Sequence, residues 1–192
     1  EGGVTGHAFA SGLSAMDAVL HLLDDGDHVV AAEDAYGGTI RQLNKVFGRH
    51  GIKTTFVDTQ DPDATAAAMT KKTKLVLMET PTNPLLRVSD IKANAQIAHD
   101  HGAWLVVDNT FMSPALQNPI PLGADIVFHS ATKYIGGHSD VLAGLAVTND
   151  KALGERIKFM QLAVGAVLSP FDSFLLLRGL KTLDLRMQRH AA

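Results

Sequence analysis

The sequence predicts an α/β fold in which helices cover both faces of a mostly parallel sheet. Short apolar runs rich in β-branched residues alternate with segments whose apolar residues recur every three or four positions. Strands that alternate with helices in this way form parallel sheets, because each crossover helix packs on a face of the sheet. No repeat or long linker interrupts the pattern, and 192 residues suffice for one domain with a substantial core.

Six strands are predicted from short apolar runs bounded by turn residues. They span residues 28–32, 52–57, 74–78, 104–108, 124–128 and 142–147. Three helices are predicted between them, from apolar residues at helical spacing and from cap residues. They run from Leu13 to Leu23 with Gly26 and Asp27 as the stop, from Pro62 to Met69, and from Ser89 as N-cap to Gly102 just past the end.

The segment that follows the strand 124–128 contains a lysine among small hydroxyl and glycine residues. Lys133 at a strand end can act as an amine nucleophile that forms Schiff bases with carbonyl groups. Ser130 and Thr132 are two positions apart, so in extended chain both hydroxyls face the same side and suit a phosphate. Together they suggest pyridoxal phosphate, a cofactor that needs both a lysine and a phosphate cup. The alternative is an ordinary surface lysine in a polar loop.

Polar residues follow other predicted strands at the same ends. Asp108 ends one strand, where a carboxylate can pair with the protonated pyridine nitrogen of the cofactor. Asn83 follows the preceding strand of the chain, and Tyr36 follows the first predicted strand. Gly12, directly after Ser11, begins a helix whose free N–H groups and positive dipole end favour an anion. These groups are therefore expected to meet at one edge of the sheet.

Composition and charge argue against several classes of function. The net charge of -3 gives no broad basic signal for nucleic acid, and no apolar run approaches a membrane span. No secretory signal is visible and the chain has no Cys, which excludes disulfides and Cys-ligated zinc and is compatible with the cytoplasm. The nine histidines are scattered, and His99 and His101 lie on different faces of their predicted helix. We therefore expect no metal site.

Six motifs of the chain match those of one known family. They are Ala8–Leu13, Tyr36–Thr39, Glu79–Pro84, Val107–Phe111, Ser130–Tyr134 and Gly137–Asp140. With these motifs the chain resembles the cystathionine γ-synthase and γ-lyase group of pyridoxal phosphate enzymes, across essentially all of its residues. This group is the Cys/Met-metabolism family, and its large domain has the aspartate aminotransferase-like architecture (fold type I) with a seven-stranded sheet. The run Leu176–Leu183 is similar to the family's helix that leads to a second domain.

The resemblance implies a role for each matched residue. Lys133 would hold pyridoxal phosphate in an imine and then move protons, and Asp108 would pair with the pyridine nitrogen. Tyr36 would stack on the cofactor ring and act as an acid or base. The other implied contacts are the amides of Gly12 and Leu13 and the hydroxyls of Ser130 and Thr132 at the phosphate, Asn83 near the phenolic oxygen, and Glu79 and Arg41 on the substrate side.

The resemblance also implies parts that this chain does not contain. Members of the family are longer, with an N-terminal segment that reaches into the neighbouring subunit and a C-terminal small domain that binds the substrate carboxylate. We therefore expect residues 1–168 to form the cofactor-binding large domain and residues 169–192 to begin the linker helix to the small domain. A homo-oligomer, a tetramer built of dimers, is expected as well. A non-catalytic large-domain fragment is the alternative.

The expected chemistry is cleavage or formation of C–S bonds in sulfur amino acids. Gly38 stands where methionine γ-lyases tend to have a Cys, and Tyr36–Arg41 resembles the γ-lyases and γ-synthases more than the classical β-lyases. The expectation is γ-lyase action on L-cystathionine, with γ-synthase and β-lyase activities as alternatives. A dinucleotide-dependent oxidoreductase would need a glycine-rich loop after its first strand, and Gly2–Gly6 lacks that context.

Overall fold

The computed structural model describes residues 1–192 and contains one seven-stranded sheet. The strands are β1 (Thr5–Phe9), β2 (His28–Ala32), β3 (Lys53–Val57), β4 (Thr73–Glu79), β5 (Trp104–Asp108), β6 (Ile126–Ser130) and β7 (Gly144–Thr148). The helices are α1 (Gly12–Leu20), α2 (Gly37–Arg41), α3 (Pro62–Ala68), α4 (Ile91–Asp100), α5 (Ser113–Leu116), α6 (Lys151–Val164), α7 (Pro170–Leu180) and α8 (Leu183–Ala191). A π-helical turn, Gln42–Val46, and a 3₁₀ turn, Phe47–His50, continue α2.

The sheet has the strand order β1-β7-β6-β5-β4-β2-β3. Strands β3, β2, β4, β5 and β6 run parallel to one another, and only β7, which pairs with both β6 and β1, runs antiparallel to its neighbours. The predicted mostly parallel, seven-stranded sheet is therefore confirmed. Because parallel neighbours point the same way, the carboxyl ends of β2, β4, β5 and β6 lie at one edge of the sheet.

Helices cover both faces of the sheet, as predicted. Alternate residues of one strand point to opposite faces, so Val106 and Val107 of β5 belong to two different cores. The core around Val106 is closed by α1 and α6, whereas the core around Val107 is closed by α4. A third cluster packs Ile135, in the segment after Lys133, against α7 and α8. This packing fixes the lysine-bearing segment between the sheet and the C-terminal helices.

The strands predicted at 124–128 and 142–147 are shifted by one or two residues, to Ile126–Ser130 and Gly144–Thr148, and three larger details differ from the predictions. Strand β1 was not predicted, because Thr5–Phe9 contains a glycine and a histidine and is only partly buried. Helix α1 ends at Leu20, well before the expected stop at Gly26 and Asp27, because the next turn tightens into i→i+3 bonds such as Leu22 N–H to the Val19 carbonyl at 3.0 Å.

The third difference concerns the N-cap of α4, which is Asp90 and not Ser89. The Asp90 carboxylate accepts the Ala93 N–H at 3.0 Å. The Ser89 hydroxyl is occupied elsewhere, at 2.9 Å from the hydroxyl of Thr59, and its N–H donates to the Thr80 hydroxyl. A tertiary contact therefore takes the serine away from the helix end, and its neighbour caps the helix.

The C-terminal helices expose an apolar surface. Phe159, Leu162, Phe171, Phe174 and Leu177 of α6 and α7 are each more than half exposed. The start of α7 is capped by Ser169, whose hydroxyl accepts the Asp172 N–H. No helix of the structure combines the length and the apolarity needed to cross a bilayer.

Candidate active site

One cavity of about 240 Å³ lies at the carboxyl ends of β2, β4, β5 and β6. Ligands of open α/β sheets bind at this edge, because the loops that follow parallel strands all open there. The structure brings together nine of the ten residues predicted for the site. The cavity is lined by Gly12, Leu13, Tyr36, Glu79, Asn83, Asp108, Ser130, Thr132 and Lys133.

Arg41 is the predicted site residue that stands apart. Its side chain is exposed at the end of α2 and does not line the cavity. The spacing between Tyr36 and Arg41 is fixed by the sequence, but the direction of the arginine depends on how α2 packs. The geometry of this chain therefore places Arg41 outside the cavity that the other site residues line.

The first turn of α1 forms one wall of the cavity. Ser11 is the N-cap of this helix, and its hydroxyl accepts the Ser14 N–H at 3.1 Å. Gly12 packs directly on β6, since a Cβ at this position would lie 2.8 Å from the Ser130 Cβ and 2.9 Å from its Cα. Only glycine allows this approach, which places the positive end of the helix dipole beside the Ser130 hydroxyl. The wall is suited to an anion.

The hydroxyls of Ser130 and Thr132 differ in their contacts. Thr132 Oγ1 donates to the Ala143 carbonyl at 3.2 Å and accepts the Ala143 N–H at 3.1 Å, so it ties the lysine-bearing turn to the start of β7. The Ser130 side chain lines the cavity beside Gly12. Ser130 is therefore the better placed donor for a phosphate, and Thr132 also holds the turn.

Asp108 forms the floor of the cavity at the end of β5 and is 9% exposed. Its Oδ1 accepts two hydrogen bonds from Thr110, at 3.0 Å from the backbone N–H and at 2.5 Å from the hydroxyl. Burial raises the pKa of the Asp108 carboxyl above its ordinary value, and the two Thr110 bonds oppose this shift by favouring the ionised form. A cationic ring nitrogen placed beside Asp108 would restore its charge.

Glu79 is the neighbour of Asp108 on β4, directly opposite it in the strand register. Its side chain is buried, and Oε2 accepts the Tyr36 backbone N–H at 2.7 Å. Burial first, and then repulsion from Asp108, raise the pKa of Glu79 to about 8, although bonds from the N–H groups of Tyr36 and Asn83 act in the opposite direction. Glu79 thus fixes the backbone that carries Tyr36.

Tyr36 and Asn83 reach the cavity from loops. Tyr36 precedes α2 and lines the cavity, and the residue is 47% exposed. The loop that carries Asn83 is held by Thr82, whose hydroxyl donates to Asp34 Oδ2 at 2.7 Å and whose N–H donates to the Arg87 carbonyl at 3.0 Å. Both side chains are therefore exposed groups on anchored backbone.

Lys133 lies in the turn after β6, and its N–H donates to the Ser130 carbonyl at 3.1 Å. Its side chain is exposed and lies between the cavity and a larger depression of about 680 Å³ on the side of α8. The amine can therefore enter the cavity beside Asp108 or face solvent. This arrangement suits a lysine that forms and releases a covalent bond.

Thr110 is the site residue that sequence reasoning missed. It lines the cavity and links the ends of two strands, because its hydroxyl also accepts the Ser130 N–H at 2.8 Å. The available signal was its place in the motif Val107–Phe111, two positions after Asp108. No group of three or more His, Asp or Glu side chains in the structure is arranged to hold a metal ion.

The donor set of the cavity fits pyridoxal phosphate. Gly12 packs so closely on Ser130 that a Cβ would overlap it, and both residues line the cavity; we call this wall, where the first turn of α1 meets the Ser130 hydroxyl, the cradle for a phosphate. Asp108 supplies a buried acid for a ring nitrogen, and Lys133 supplies an amine for an aldehyde.

Comparisons with known proteins agree with this chemistry. The chain is 55% identical to a cystathionine beta-lyase of Lactococcus lactis subsp. cremoris and 55% identical to a cystathionine gamma-synthase of Mycobacterium tuberculosis, over 192 residues in both cases. These alignments cover 100% of this chain and 50% of each relative, so the chain spans about half the length of the curated relatives it matches.

Solved structures give the same result for the fold. The crystal structure of cystathionine gamma-lyase from Lactobacillus plantarum complexed with L-serine matches with a TM-score of 0.94 and 50% sequence identity. The match covers 95% of this chain and 48% of that one. The expected fold type I architecture is thereby confirmed. The family model of the Cys/Met metabolism PLP-dependent enzymes matches residues 1–192, and the chain belongs to this family of pyridoxal phosphate-dependent enzymes.

Proposed function

We propose that the protein is a carbon–sulfur lyase that cleaves L-cystathionine at Cγ, with pyridoxal phosphate held at Lys133. The single observation that supports it most is the meeting of Lys133, Asp108 and the Gly12–Ser130 cradle in one cavity. An amine, a buried acid and an anion site at these places are the three groups that this cofactor requires. The family to which the chain belongs supplies the sulfur amino-acid chemistry.

Backbone amides, hydroxyls and a carboxylate would hold the cofactor. The amides of Gly12 and Leu13 and the hydroxyls of Ser130 and Thr132 would bind the phosphate, where the dipole of α1 adds a favourable field. Asp108 would hold a proton on the ring nitrogen. When bound, pyridoxal phosphate supplies a conjugated ring that accepts the electrons of a bond broken beside the substrate's amino group.

The proton transfers of the reaction would belong to Lys133 and Tyr36. The Lys133 amine, once free, would take protons in turn from the α-carbon and the β-carbon of the substrate; one proton would leave with the sulfur as a thiol and the other would return to Cγ. The Tyr36 ring would cover the cofactor face, with its hydroxyl near the leaving group. Asn83 would donate a hydrogen bond to the phenolic oxygen, and Glu79 would hold the Tyr36 backbone in place through the 2.7 Å bond described above.

The assignment to γ-cleavage depends on the segment Tyr36–Arg41. Gly38 leaves no thiol in the position that methionine γ-lyases tend to fill with Cys, and the segment as a whole favours the cystathionine γ-enzymes. Arg41 would contact the distal end of the substrate after a movement of α2 or of its own side chain, since it does not line the cavity. Gamma-synthase and β-lyase activities are the alternatives, because relatives with those names are equally similar.

The proposal includes the domain organisation of the chain and its association with further protein. Residues 1–168 would form the cofactor-binding large domain, and residues 169–192 would begin the linker to a small domain. The exposed apolar residues of α6 and α7 support association with further protein, either that domain or another subunit of a homo-oligomer. A chain without Cys is compatible with the proposed cytoplasmic location. A non-catalytic large domain is the competing proposal.

The test is an absorption spectrum of the purified protein before and after addition of L-cystathionine, with product analysis. Gamma-cleavage with one water yields cysteine, 2-oxobutanoate and ammonia, whereas β-cleavage yields homocysteine, pyruvate and ammonia. A synthase would instead join cysteine to an activated homoserine ester. We expect a visible band that changes with substrate and the first set of products. A chain that stays colourless with added pyridoxal phosphate would overturn the lyase proposal in favour of a non-catalytic domain.

A further inference from the structure

The α-carbon of Gly38 lies against the ring of Tyr36. A Cβ built on Gly38 would overlap Cε1 of the Tyr36 ring, would lie 3.0 Å from its Cδ1 and would lie 3.1 Å from Leu13 Cδ2. The first of these contacts is closer than real side chains show, so with a larger residue at position 38 the Tyr36 ring would have to move from the place it occupies here. Gly38 is buried, whereas the residue Tyr36 is 47% exposed.

The backbone of Tyr36 is fixed independently of its ring. Its N–H donates to Glu79 Oε2 at 2.7 Å, and its carbonyl accepts the N–H groups of Thr39 at 2.9 Å and Ile40 at 3.2 Å. Rotation about the side-chain bonds is therefore the freedom that remains. The ring can point either to solvent or to the cavity. The space that a side chain on Gly38 would fill is the space that the ring occupies when it points to the cavity.

We propose that Gly38 is a positioning residue for Tyr36. Because glycine has no side chain, the phenol ring can lie inward, over the cavity. The inference rests on the proposed function only for the catalytic role of the Tyr36 ring. The contact between Gly38 and the ring is present in the chain without cofactor. Because the ring is the movable partner, a methyl group at position 38 would turn the ring outward rather than disrupt the fold. The effect of Gly38 on the reaction would pass through Tyr36.

Gly37 offers a matched control on the same helix. A Cβ on Gly37 would meet no atom within 4 Å. Neither glycine has a positive φ, so alanine fits the backbone of α2 at both positions. Alanine also stabilises a helix relative to glycine, and in each variant we expect the melting temperature to stay equal or to rise by about 2–4 °C. A difference between the two variants therefore reports on the Tyr36 contact.

The first experiment is NMR of the chain with ring-labelled tyrosine, without cofactor. The chain has two tyrosines, Tyr36 and Tyr134, and the signal lost in Tyr36→Phe identifies the first. We expect Gly38→Ala to move the Tyr36 signal toward that of a solvent-exposed ring and to leave the Tyr134 signal in place. Gly37→Ala should leave both signals in place. A Tyr36 signal that is unchanged in Gly38→Ala, or equally shifted in Gly37→Ala, would overturn the inference.

The second experiment measures cystathionine cleavage by the loaded protein. Gly38→Ala should lower kcat by about ten- to a hundredfold, the effect of misplacing a reacting group, with no loss of melting temperature. In a Tyr36→Ala background the same change should lower kcat no further, because the ring through which it acts is absent. A full additional loss there would overturn the inference. If the unmodified protein fails to cleave cystathionine, the proposed function fails, and the NMR signals still decide the role of Gly38.

Discussion

The hydroxyl of Thr110 lies 2.5 Å from Oδ1 of Asp108 and, on its other side, accepts the backbone N–H of Ser130 at 2.8 Å. One hydroxyl thus connects the carboxyl end of β5 to that of β6. Because it donates in one direction and accepts in the other, Asp108 and Ser130, the residues proposed to face the cofactor ring and its phosphate, keep a fixed separation.

Replacing Thr110 by Val should loosen this connection with little change of volume. The Ser130 N–H would lose its acceptor and Asp108 its shortest donor, at a cost of about 1–3 kcal/mol for an unsatisfied buried group. We expect the affinity for pyridoxal phosphate to fall by about ten- to a hundredfold, measured by titration. Thr110→Ser keeps the hydroxyl and serves as the control. Equal affinities of the Val and Ser variants would contradict this role.

Lys133→Ala should abolish the covalent attachment of the cofactor. The other groups of the cavity remain, so the variant should still bind pyridoxal phosphate reversibly and more weakly. Reduction with borohydride followed by intact-mass measurement checks this, since only a lysine-bound cofactor adds mass permanently. Lys151→Ala, at an exposed lysine that begins α6, is the control and should gain the same mass as the unmodified chain. A Lys133→Ala protein that still gains it would exclude Lys133 as the attachment site.

Gly12→Ala should destabilise the fold and damage the phosphate cradle together. The added Cβ would meet the Cβ and the backbone Cα of Ser130 at 2.8 and 2.9 Å, and backbone yields little. We expect the free energy of unfolding to fall by about 1–3 kcal/mol in urea titrations, as for other overpacked sites. Gly37→Ala, which meets no neighbour, should not reduce it. A Gly12→Ala chain as stable as the unmodified one would show that α1 does not need to touch β6.

The pH dependence of the free energy of unfolding should reveal the raised pKa of Glu79. Burial raises its pKa from 4.5 to about 8, so between these values the folded chain holds a proton that the unfolded chain has released. The free energy of unfolding therefore falls as the pH rises through this window, by at most about 1.4 kcal/mol per pH unit for one proton.

Glu79→Gln cannot ionise and should remove that decline in the cofactor-free chain, so that its stability at pH 8 approaches its stability at pH 5. Asp108, whose pKa is also raised by burial, contributes a remaining decline of the same sign in both proteins. Glu155→Gln, an exposed residue of α6, is the control and should keep the full decline. Denaturation curves across this pH range make the comparison. An unchanged decline in Glu79→Gln would mean that Glu79 is ionised in the folded chain.

The strand ends that carry the site were predictable from sequence because each follows a buried apolar run. Residues 104–107 are continuously apolar, so the position of Asp108 at the strand end could be read directly, and the same holds for Lys133 after β6. The role of Thr110 could not be predicted in this way, because its bond to Ser130 depends on which strands are neighbours in the sheet. Hydroxyl side chains make many local bonds, and sequence does not distinguish these from a tertiary one.

The unpredicted strand and the displaced arginine have a similar explanation. Strand β1 has no alternating pattern, and it is held by pairing with β7, far away in the sequence. The direction of Arg41 is set by the packing of α2, which is too short to show an apolar stripe. Sequence favours Ser89 as the N-cap of α4 because its hydroxyl looks free. Its contact with Thr59 joins two loops that sequence alone does not bring together.

The pairing of β1 with β7 has a consequence for the order in which the chain assembles during its synthesis. Strand β1 and the start of α1 are made long before β7, the only strand that pairs with β1. Closing so long a loop costs entropy before any contact repays it, and folds dominated by such contacts form slowly. The cradle between Gly12 and Ser130 therefore does not exist in a nascent chain that lacks β6 and β7. We therefore expect a phosphate to bind at this cradle only after β6 and β7 have joined the sheet.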